Sequence, residues 1–374
     1  EAHLAKSRLS ASPSELENEF IRIQIDPESG WLKNIFDKRI GREVLSGPGN
    51  ELQLLEDTPA QWDAWNVGLT GVKYPSHLRT IEVLERGPVR ATIRIARDYL
   101  KPGVKKSFPT EDFPSTFFTQ NVSIYADLDR IDFKTDVDWW EDRTMLKVAF
   151  PVAIKADVAT YDIPYGSIRR STGMNDSWEK AKVEVPAERW ADLSGDDYGV
   201  SLLNKAKYGY DVKGNVLRLS LLRSPKWPDP QADRGLHSIE YSLYPHRANV
   251  SAARTLQRGY EYNNPLIAIV GEAHKGRRPS SASFVQLTPA NLILTTIKKA
   301  EDGEGWIFQW YDGKGLDSQA SLTLPATPIK VVRSNFLEGD GAPETFRGTQ
   351  VQAGTRKNST TTLKIQFGKP EGRQ

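Results

Sequence analysis

The chain has 374 residues, and its 50 lysines and arginines nearly balance its 48 aspartates and glutamates, which gives a formal net charge of +2. It has no cysteine, which excludes disulfides and thiolate metal sites. The basic residues form no dense block, and no apolar stretch reaches membrane-spanning length. We therefore expect no nucleic acid and no membrane as partners, and the length allows two or more domains.

The start of the chain predicts a linker followed by a β-hairpin. Residues 1–14 show little apolar periodicity, and the opening EAHLAKSR contains neither an initiator methionine nor a signal peptide. We therefore expect the chain to come from the middle of a longer polypeptide. The stretch NEFIRIQID alternates isoleucines with other residues, as strands do, and a turn at DPESG leads to a second strand in WLKNIFDK.

Short strands bounded by Gly, Pro, Asp or Asn recur along the rest of the chain, without a convincing long amphipathic helix. This pattern predicts an all-β fold, with residues 15–272 as one large two-sheet domain. Around EAHKGRRPSS the composition shifts to Gly, Arg, Pro and Ser, so we predict a linker at residues 273–283. A further series of strands predicts a smaller β-sandwich over residues 284–374.

A proline-rich loop between two predicted strands contains side chains suited to small polar ligands. It lies in LLRSPKWPDPQADRGLHSIEYSLYPH and presents Trp227, Asp233, Arg234 and His237. Such a loop is stiff, and functional groups are often placed on loops carried by a scaffold. Two interpretations stay open from these residues alone. The loop is a binding site, or Asp233 and Arg234 form a solvated ion pair while Trp227 covers a sheet edge.

Ten tryptophans supply the aromatic faces that sugar rings stack on. Trp62 and Trp65 flank Asp63 in QWDAWNVG, and we predict Asp63 and Trp65 as substrate-binding residues. The alternative is that one tryptophan belongs to the core and the other covers a sheet edge. Trp139 and Trp140 follow a predicted strand, and alternation places them on opposite faces, so we expect at least one in the core.

No catalytic signature stands out. The patterns HExxH, His-x-Asp, Cys-x-x-Cys and GxSxG are absent, and the five histidines are scattered. From these residues we assign no catalytic residue and no metal ligand.

Several stretches together resemble glycoside hydrolase family 38, the zinc-dependent retaining α-mannosidases, in the C-terminal β-rich half only. They include ENEFIRIQIDPESGWLKNIFDKRIGREVL, GNELQLLEDTPAQWDAW, YDIPYGSIRRST, YGVSLLNKAKYGYDVKGNVLRLSLLRSP and ADRGLHSIEYSLYPH. The resemblance covers most of the chain from Glu17 to Ile307. It implies a large mutarotase-like β-supersandwich followed by a smaller β-sandwich.

The resemblance also implies partners that this chain lacks. The family's zinc ligands and its catalytic carboxylates lie in an N-terminal α/β barrel and a helical segment, so we expect Zn²⁺ in the full-length enzyme and none bound by this fragment. The expected partners are mannosides and the N-terminal catalytic barrel of the same polypeptide. A homo-oligomer is left open. The compartment is not determined, with the cytoplasm slightly favoured.

One family contact is carried over to this chain. The family's Asp-x-Arg-Gly-like turn places an arginine in the sugar pocket, and the matching residue in this sequence is Arg234, which Asp233 can orient. We predict both Arg234 and Asp233 as substrate-binding residues. The chain departs from the family pattern at Asn66, where we expect aspartate, and at Gly173, where we expect histidine.

Two other functions remain as alternatives. The first is a stand-alone, non-catalytic carbohydrate-binding module, which the gene upstream of this chain would distinguish from a mannosidase fragment. The second is a mutarotase-type enzyme with His237 and Glu240 as its acid and base. These two residues are three apart on a predicted strand and therefore lie on opposite faces, so we rank this alternative last.

Overall fold

The structure, a computed structural model, describes residues 8–100, 116–272, 275–276 and 279–368. Within these ranges the chain forms 29 strands and two short helices, which confirms the predicted all-β class. The predicted linkers lie partly outside the described residues. Ser10–Ser12 forms a strand within the first of them, where buried Leu9 precedes it and Ala11 packs against the core.

Most of the strands precede the longer helix. In chain order, the first twenty are β1 (Ser10–Ser12), β2 (Glu15–Glu17), β3 (Ile21–Ile25), β4 (Leu32–Asp37), β5 (Arg42–Glu43), β6 (Glu51–Asp57), β7 (Leu69–Tyr74), β8 (His77–Arg86), β9 (Arg90–Tyr99), β10 (Thr116–Tyr125), β11 (Ile131–Trp139), β12 (Thr144–Pro151), β13 (Val158–Ile163), β14 (Gly166–Ser171), β15 (Val185–Pro186), β16 (Trp190–Ser194), β17 (Tyr198–Asn204), β18 (Gly209–Lys213), β19 (Val216–Arg223) and β20 (Gly235–Arg247). The helices are α1 (Ser177–Ala181) and α2 (Thr255–Asn263). The remaining strands are β21 (Gln286–Thr288), β22 (Leu292–Lys299), β23 (Trp306–Asp312), β24 (Ser318–Thr323), β25 (Pro328–Ser334), β26 (Asp340–Pro343), β27 (Thr345–Arg347), β28 (Gln350–Thr355) and β29 (Thr360–Phe367).

The described residues divide into two compact units. The larger unit lies within Glu1–Asp162 and Ile168–Pro265, and the smaller within Ile163–Ser167 and Leu266–Gln374. The predicted boundary at residues 273–283 falls in a stretch that belongs to no strand or helix among its described residues. That this boundary separates independent domains stays a prediction.

Three antiparallel sheets build the larger unit. Their strand orders are β1-β2-β3-β4-β5, then β14-β13-β16-β17-β20-β11-β10-β9-β8, then β15-β18-β19-β12-β6-β7. Phe133 of the nine-stranded sheet stacks on Tyr241 of the same sheet at 5.0 Å between ring centroids, and lies 5.6 Å from Phe150 of the six-stranded sheet. These rings show that the two larger sheets bury their apolar faces against each other.

Period-two patterning decides which side chains enter this core. In β3 the isoleucines Ile21, Ile23 and Ile25 are buried, while Arg22 between them is exposed. Alternating residues of β11 are buried in the same way. The predicted hairpin at the start of the chain is therefore confirmed as β3 paired with β4.

The smaller unit consists of two antiparallel sheets, with the orders β21-β24-β28-β27 and β22-β23-β29-β25-β26. Trp310 of β23 is fully buried, and its Nε1 donates a hydrogen bond to Thr355 Oγ1 at 2.8 Å. Because a buried indole N–H is costly without a partner, this bond allows tryptophan to occupy the core.

Neither helix of the described residues is long and apolar enough to span a membrane. The longer one, α2, packs Tyr262 against Trp190, Leu203 and Tyr244 of the larger unit.

Candidate functional site

Three loops of the larger unit emerge at one end of its six-stranded sheet. They are residues 58–68 after β6, residues 140–143 before β12, and residues 224–234 after β19. β12 lies between β6 and β19, and the pairs Thr144↔Glu56 and Met145↔Arg223 place all three loop origins side by side. The antiparallel order therefore brings together loops that are far apart in sequence. We call these loops the loop cluster.

Hydrogen bonds join the three loops. The backbone N–H of Arg143 donates to the carbonyl of Ser224 at 2.8 Å, and that of Ala64 donates to the carbonyl of Trp227 at 3.2 Å. Because each bond connects two different loops, the loops form one structure and not three independent excursions.

Three tryptophans of the loop cluster form an exposed aromatic cluster. The ring centroid of Trp227 lies 5.0 Å from that of Trp62 and 5.3 Å from that of Trp65. Their exposed fractions are 55% for Trp62, 66% for Trp65 and 47% for Trp227. The sequence leaves open whether one of Trp62 and Trp65 is core, and the structure places neither there. Exposed indole faces held by one another suit stacking against an apolar or C–H-rich ligand surface.

The loop that carries two of these tryptophans is turned tightly. Trp62 has φ = 60°, a left-handed conformation that is uncommon for a bulky residue. Its carbonyl accepts hydrogen bonds from the N–H groups of Trp65 and Asn66, both at 2.9 Å. Asn66 also donates from its Nδ2 to Gln61 O at 2.8 Å. Asn66 thus closes the turn, whatever its departure from the family pattern does to specificity.

An ion pair between a partly buried arginine and a buried aspartate supports the same loop. Arg223, the last residue of β19, donates from its Nε to the carboxylate of Asp57 at the end of β6. The other nitrogens of Arg223 donate to the carbonyls of Ala64, at 3.3 Å, and Asn66. Asp57 also accepts from the N–H of Gly68 at 2.7 Å. One guanidinium thereby connects two carbonyls of the tryptophan loop to the end of β6.

Asp63, a predicted substrate-binding residue, lies between Trp62 and Trp65 in the sequence and is only 8% exposed. Its Oδ2 accepts the backbone N–H of Lys226 at 3.3 Å and lies 3.7 Å from an Nη of Arg143. These contacts link residues 58–68 to both other loops. The carboxylate is positioned to hold the loops together.

Arg234 reaches a carboxylate that the sequence did not single out. Its Nη2 donates to both oxygens of Asp142, at 2.8 and 3.0 Å, and the ammonium of Lys226 donates to Oδ1 of the same carboxylate at 2.7 Å. The Nε of Arg234 is buried and has no hydrogen-bond partner among the described residues. The Asp142 carboxylate therefore holds the guanidinium through one nitrogen, Nη2, while the buried Nε has no partner among the described residues, which is unusual for a buried donor.

The two cations tune Asp142. Burial raises the pKa of the Asp142 carboxyl, but hydrogen bonds and positive charge from Lys226 and Arg234 outweigh burial and hold that pKa below its usual value. Asp142 is therefore ionised at neutral pH and keeps the guanidinium oriented.

Asp233 and Gly235 shape the backbone around Arg234. Asp233 has φ = 62° and Gly235 has φ = 114°, so the chain turns sharply on both sides of the arginine. The Asp233 carboxylate accepts the N–H of Arg223 at 3.1 Å, and the Asp233 carbonyl lies 2.7 Å from His237 Nε2. Asp233 thus anchors the loop to β19, and the carboxylate that pairs with Arg234 is that of Asp142.

The mutarotase-type pair finds no support in these contacts. His237 lies at the Asp233 carbonyl, whereas Glu240 forms an ion pair with Lys205. Both lie on β20, paired with Val137 and Lys134 of β11 at an odd separation, which places them on opposite faces.

The tryptophan pair at the end of β11 follows the predicted alternation. Trp139 is fully buried and donates from Nε1 to Ser224 Oγ at 2.6 Å. Trp140 is exposed at the start of residues 140–143, and its Nε1 donates to Asp138 Oδ1 at 2.6 Å. The prediction that at least one of them is core is confirmed.

Among the described residues, no group of three or more His, Asp or Glu side chains is arranged to hold a metal ion. The loop cluster therefore presents exposed aromatic faces and hydrogen-bonding groups, but no such set of ligands for a metal ion. That the fragment binds no zinc stays a prediction.

The four predicted substrate-binding residues lie on two of the three loops. Trp65 and Asp63 belong to residues 58–68, and Asp233 and Arg234 to residues 224–234. Sequence reasoning missed Asp142, because the partner of Arg234 lies 92 positions away, on a different connection. The sequence feature that could have indicated Asp142 is the dipeptide Asp142-Arg143 just before a strand. Such dipeptides are too common to single out one residue.

Comparison with known proteins assigns both units. Residues 16–231 match the family described as glycosyl hydrolases family 38 C-terminal domain, and residues 291–369 match the glycosyl hydrolases family 38 C-terminal beta sandwich domain. The first match includes the aromatic cluster and Asp142, and it ends just before Asp233 and Arg234.

Among curated proteins, the chain is 34% identical over 337 residues to alpha-mannosidase G of Dictyostelium discoideum, covering 86% of this chain and 30% of that protein. It is 38% identical over 292 residues to alpha-mannosidase 2C1 of Mus musculus, covering 76% of this chain and 27% of that protein. The chain therefore spans less than a third of the length of these relatives.

Among solved structures, an alpha-mannosidase from Enterococcus faecalis superimposes with a TM-score of 0.78 at 18% identity. The match covers 97% of this chain and 43% of the bacterial chain. Because the sequence identity is only 18%, this structural similarity is evidence for the fold alone.

Proposed function

This chain belongs to glycosyl hydrolase family 38, and on that premise we propose that it is the C-terminal portion of an α-mannosidase that hydrolyses terminal α-mannosides. The observation that carries the proposal is the match of residues 16–231 to the family's C-terminal domain, together with relatives that are named alpha-mannosidases and extend well beyond the matched region. The catalytic portion would be contributed by sequence outside this chain.

We further propose zinc dependence and a retaining mechanism, as the family resemblance implies. A retaining glycosidase uses one carboxylate as nucleophile and a second carboxyl as acid and base. The described residues provide no group that fits a metal ion, so the zinc ligands would lie in the portion outside this chain.

Within that enzyme, the loop cluster would complete the sugar pocket. Trp65 offers an indole face to the C–H side of a sugar ring, and Arg234 keeps a buried Nε donor without a partner among the described residues. Asp63 and Asp233 would act through these two residues, because their carboxylates already accept backbone N–H groups that hold the loops. We propose Trp65 and Arg234 as the contacts, and Asp63 and Asp233 as positioning residues.

The stand-alone carbohydrate-binding module remains a second candidate, and one observation favours it. The three tryptophans are exposed in the chain by itself, which is how binding modules present aromatic platforms. Under this alternative the chain alone would bind mannosides with useful affinity, and no longer polypeptide would be required.

One pair of measurements separates the two candidates. We expect the 374-residue chain alone to hydrolyse no aryl α-mannoside and to bind no stoichiometric zinc, whereas the polypeptide that includes the N-terminal portion does both. Chromogenic assays and metal analysis of both proteins provide the test. Stoichiometric zinc together with turnover in the chain alone would refute the proposal that the zinc site and the catalytic residues lie outside this chain. Tight mannoside binding by the chain alone, with no activity in the longer polypeptide, would favour the binding module.

A further inference from the structure

A short apolar segment between the last helix and the second series of strands is almost completely solvent-exposed. In residues 266–270, with the sequence LIAIV, the exposed fractions are 100% for Leu266, 89% for Ile267, 89% for Ile269 and 99% for Val270. These residues belong to no strand or helix. Scattered exposed apolar residues are ordinary, but a contiguous run of large ones at full exposure marks an interaction surface.

The sequence of the segment indicates what kind of surface would cover it. A half-buried strand alternates apolar and polar residues, whereas a strand buried on both faces is a continuous run rich in Val, Ile and Leu. The segment follows the second pattern and has no charged residue between Pro265 and Gly271. Helix α2 has already ended at Asn263, and the proline that follows disfavours its continuation. The surface that matches this segment is therefore an apolar groove, which encloses an extended chain on both sides.

We infer that residues 266–270 form a docking element for the catalytic portion of the mannosidase polypeptide, which encloses the segment in an apolar groove. The inference rests on the proposed function, because it requires that portion to belong with this chain. Its support is the length of the relatives, of which this chain covers 30% and 27%. The large uncovered portion provides the surface that the fully exposed segment lacks in this chain.

Hydrogen–deuterium exchange tests the inference directly. In the 374-residue chain alone, the amides of residues 266–270 exchange at the rate of an open segment. In the polypeptide that includes the catalytic portion, their exchange slows by at least about tenfold, as for backbone enclosed in a cooperative structure. Unchanged, rapid exchange of residues 266–270 in the longer polypeptide overturns the proposal.

Paired substitutions provide a second measurement. The double substitution of Ile267→Ser and Ile269→Ser leaves the melting temperature of the chain alone unchanged, because both side chains are exposed there. In the longer polypeptide it lowers the melting temperature of the catalytic portion by about 5 °C or more. Leu337→Ser is the matched control, since Leu337 is 91% exposed in the same unit but outside the segment. Equal effects of the double substitution and the control contradict the docking role.

The outcomes also separate this inference from the proposed function. Mannosidase activity in the longer polypeptide with residues 266–270 still exposed removes the docking element and leaves the function standing. Protection of the segment from exchange without any mannosidase activity in the longer polypeptide supports the docking element and removes the proposed function. Protection that rises with concentration in the chain alone, together with dimers in sedimentation, assigns the segment to a second copy and overturns the proposal.

Discussion

Two polar clusters of the larger unit are built from similar side chains but differ in what encloses them. In the first, the buried Asp192 carboxylate accepts from Ser201 Oγ at 2.6 Å, lies 2.7 Å from His246 Nε2, and also accepts from Ser194. Ser201 in turn lies 2.7 Å from Thr255 Oγ1. We call this set the histidine network. Asp192, Ser201, His246 and Thr255 are all buried.

The second cluster, formed by Asp142, Lys226 and Arg234, lies open at the end of the sheet. The Asp142 side chain is 45% exposed, and the buried Nε of Arg234 has no partner among the described residues. The histidine network satisfies its polar groups internally, so its role is structural stability. The Arg234 cluster leaves one polar atom without a partner among the described residues, and its side chains stay partly exposed, which suits the ligand contact proposed for Arg234. The difference lies in enclosure and satisfaction, not in residue type.

The largest effect is expected for Asp192→Ala. Removing the carboxylate leaves the buried His246 and Ser201 and the partly buried Ser194 without their acceptor, which should reduce the free energy of unfolding by roughly 3–5 kcal/mol. Urea denaturation of the 374-residue chain measures this change. Asp142→Ala is the matched comparison and should cost at most about 1 kcal/mol, because exposed pairs contribute little. Equal losses for the two substitutions would remove the distinction between the clusters.

A smaller loss is expected for Gly199→Ala, which tests how tightly the histidine network is packed. A Cβ at Gly199 would lie 2.2 Å from Ser194 Oγ and 2.3 Å from His246 Cε1, so the ring that Asp192 holds must move. We expect a loss of about 1–3 kcal/mol in the free energy of unfolding. Gly195→Ala is the control, because the nearest atoms to its Cβ lie 3.9 Å away. If Gly199→Ala unfolds with the wild-type free energy, the His246 ring can shift without cost and the network is not tightly packed.

The sequence alone predicts those features of the fold that depend on neighbouring residues. Strands such as β3 follow from period-two patterning, and the opposite faces of Trp139 and Trp140 follow from the same rule. Both predictions rest on the alternation of adjacent side chains along one strand and need no knowledge of which strands pair. The family resemblance adds the assignment of both units, which no local pattern provides.

The contacts of the candidate site could not be predicted in this way. Arg234 meets Asp142, and His246 meets Asp192, only because the strand order places distant segments side by side. Arg223 is similar, since its role under the tryptophan loop depends on β12 separating β6 from β19. Sequence separation and sheet order, not side-chain chemistry, limited the prediction.

Arg234→Lys sharpens the comparison from the side of function. In the polypeptide that includes the catalytic portion, we expect kcat/KM to fall by about 1–3 kcal/mol of transition-state stabilisation, because lysine cannot reproduce the guanidinium fork. The melting temperature should change little, since the Arg234–Asp142 pair is partly exposed. Arg254→Lys, at an exposed pair with Glu261, is the control. A lowered melting temperature with unchanged kinetics would make Arg234 a structural residue.

The smallest effect concerns pH and the Asp142 carboxylate. Its pKa is lower in the folded protein than in the unfolded chain, so the unfolded chain binds the proton more readily as pH falls. The contribution of Asp142 to stability is thus complete above the unfolded pKa of about 3.9 and is lost as pH falls through the folded value. Since the side chain is 45% exposed, we expect at most about 1 kcal/mol.

Urea titrations of the wild-type chain and of Asp142→Asn between about pH 6 and about pH 2 measure that contribution. Asparagine keeps the shape but not the charge, so the two stability curves should differ at the upper end of this range and converge as Asp142 is protonated. Added salt should narrow the difference at the higher pH, because the cluster is open to solvent. A difference that persists at the lowest pH would mean that Asp142 acts by packing or neutral hydrogen bonds. The Arg234 cluster would then be organised like the histidine network, and the comparison would fail.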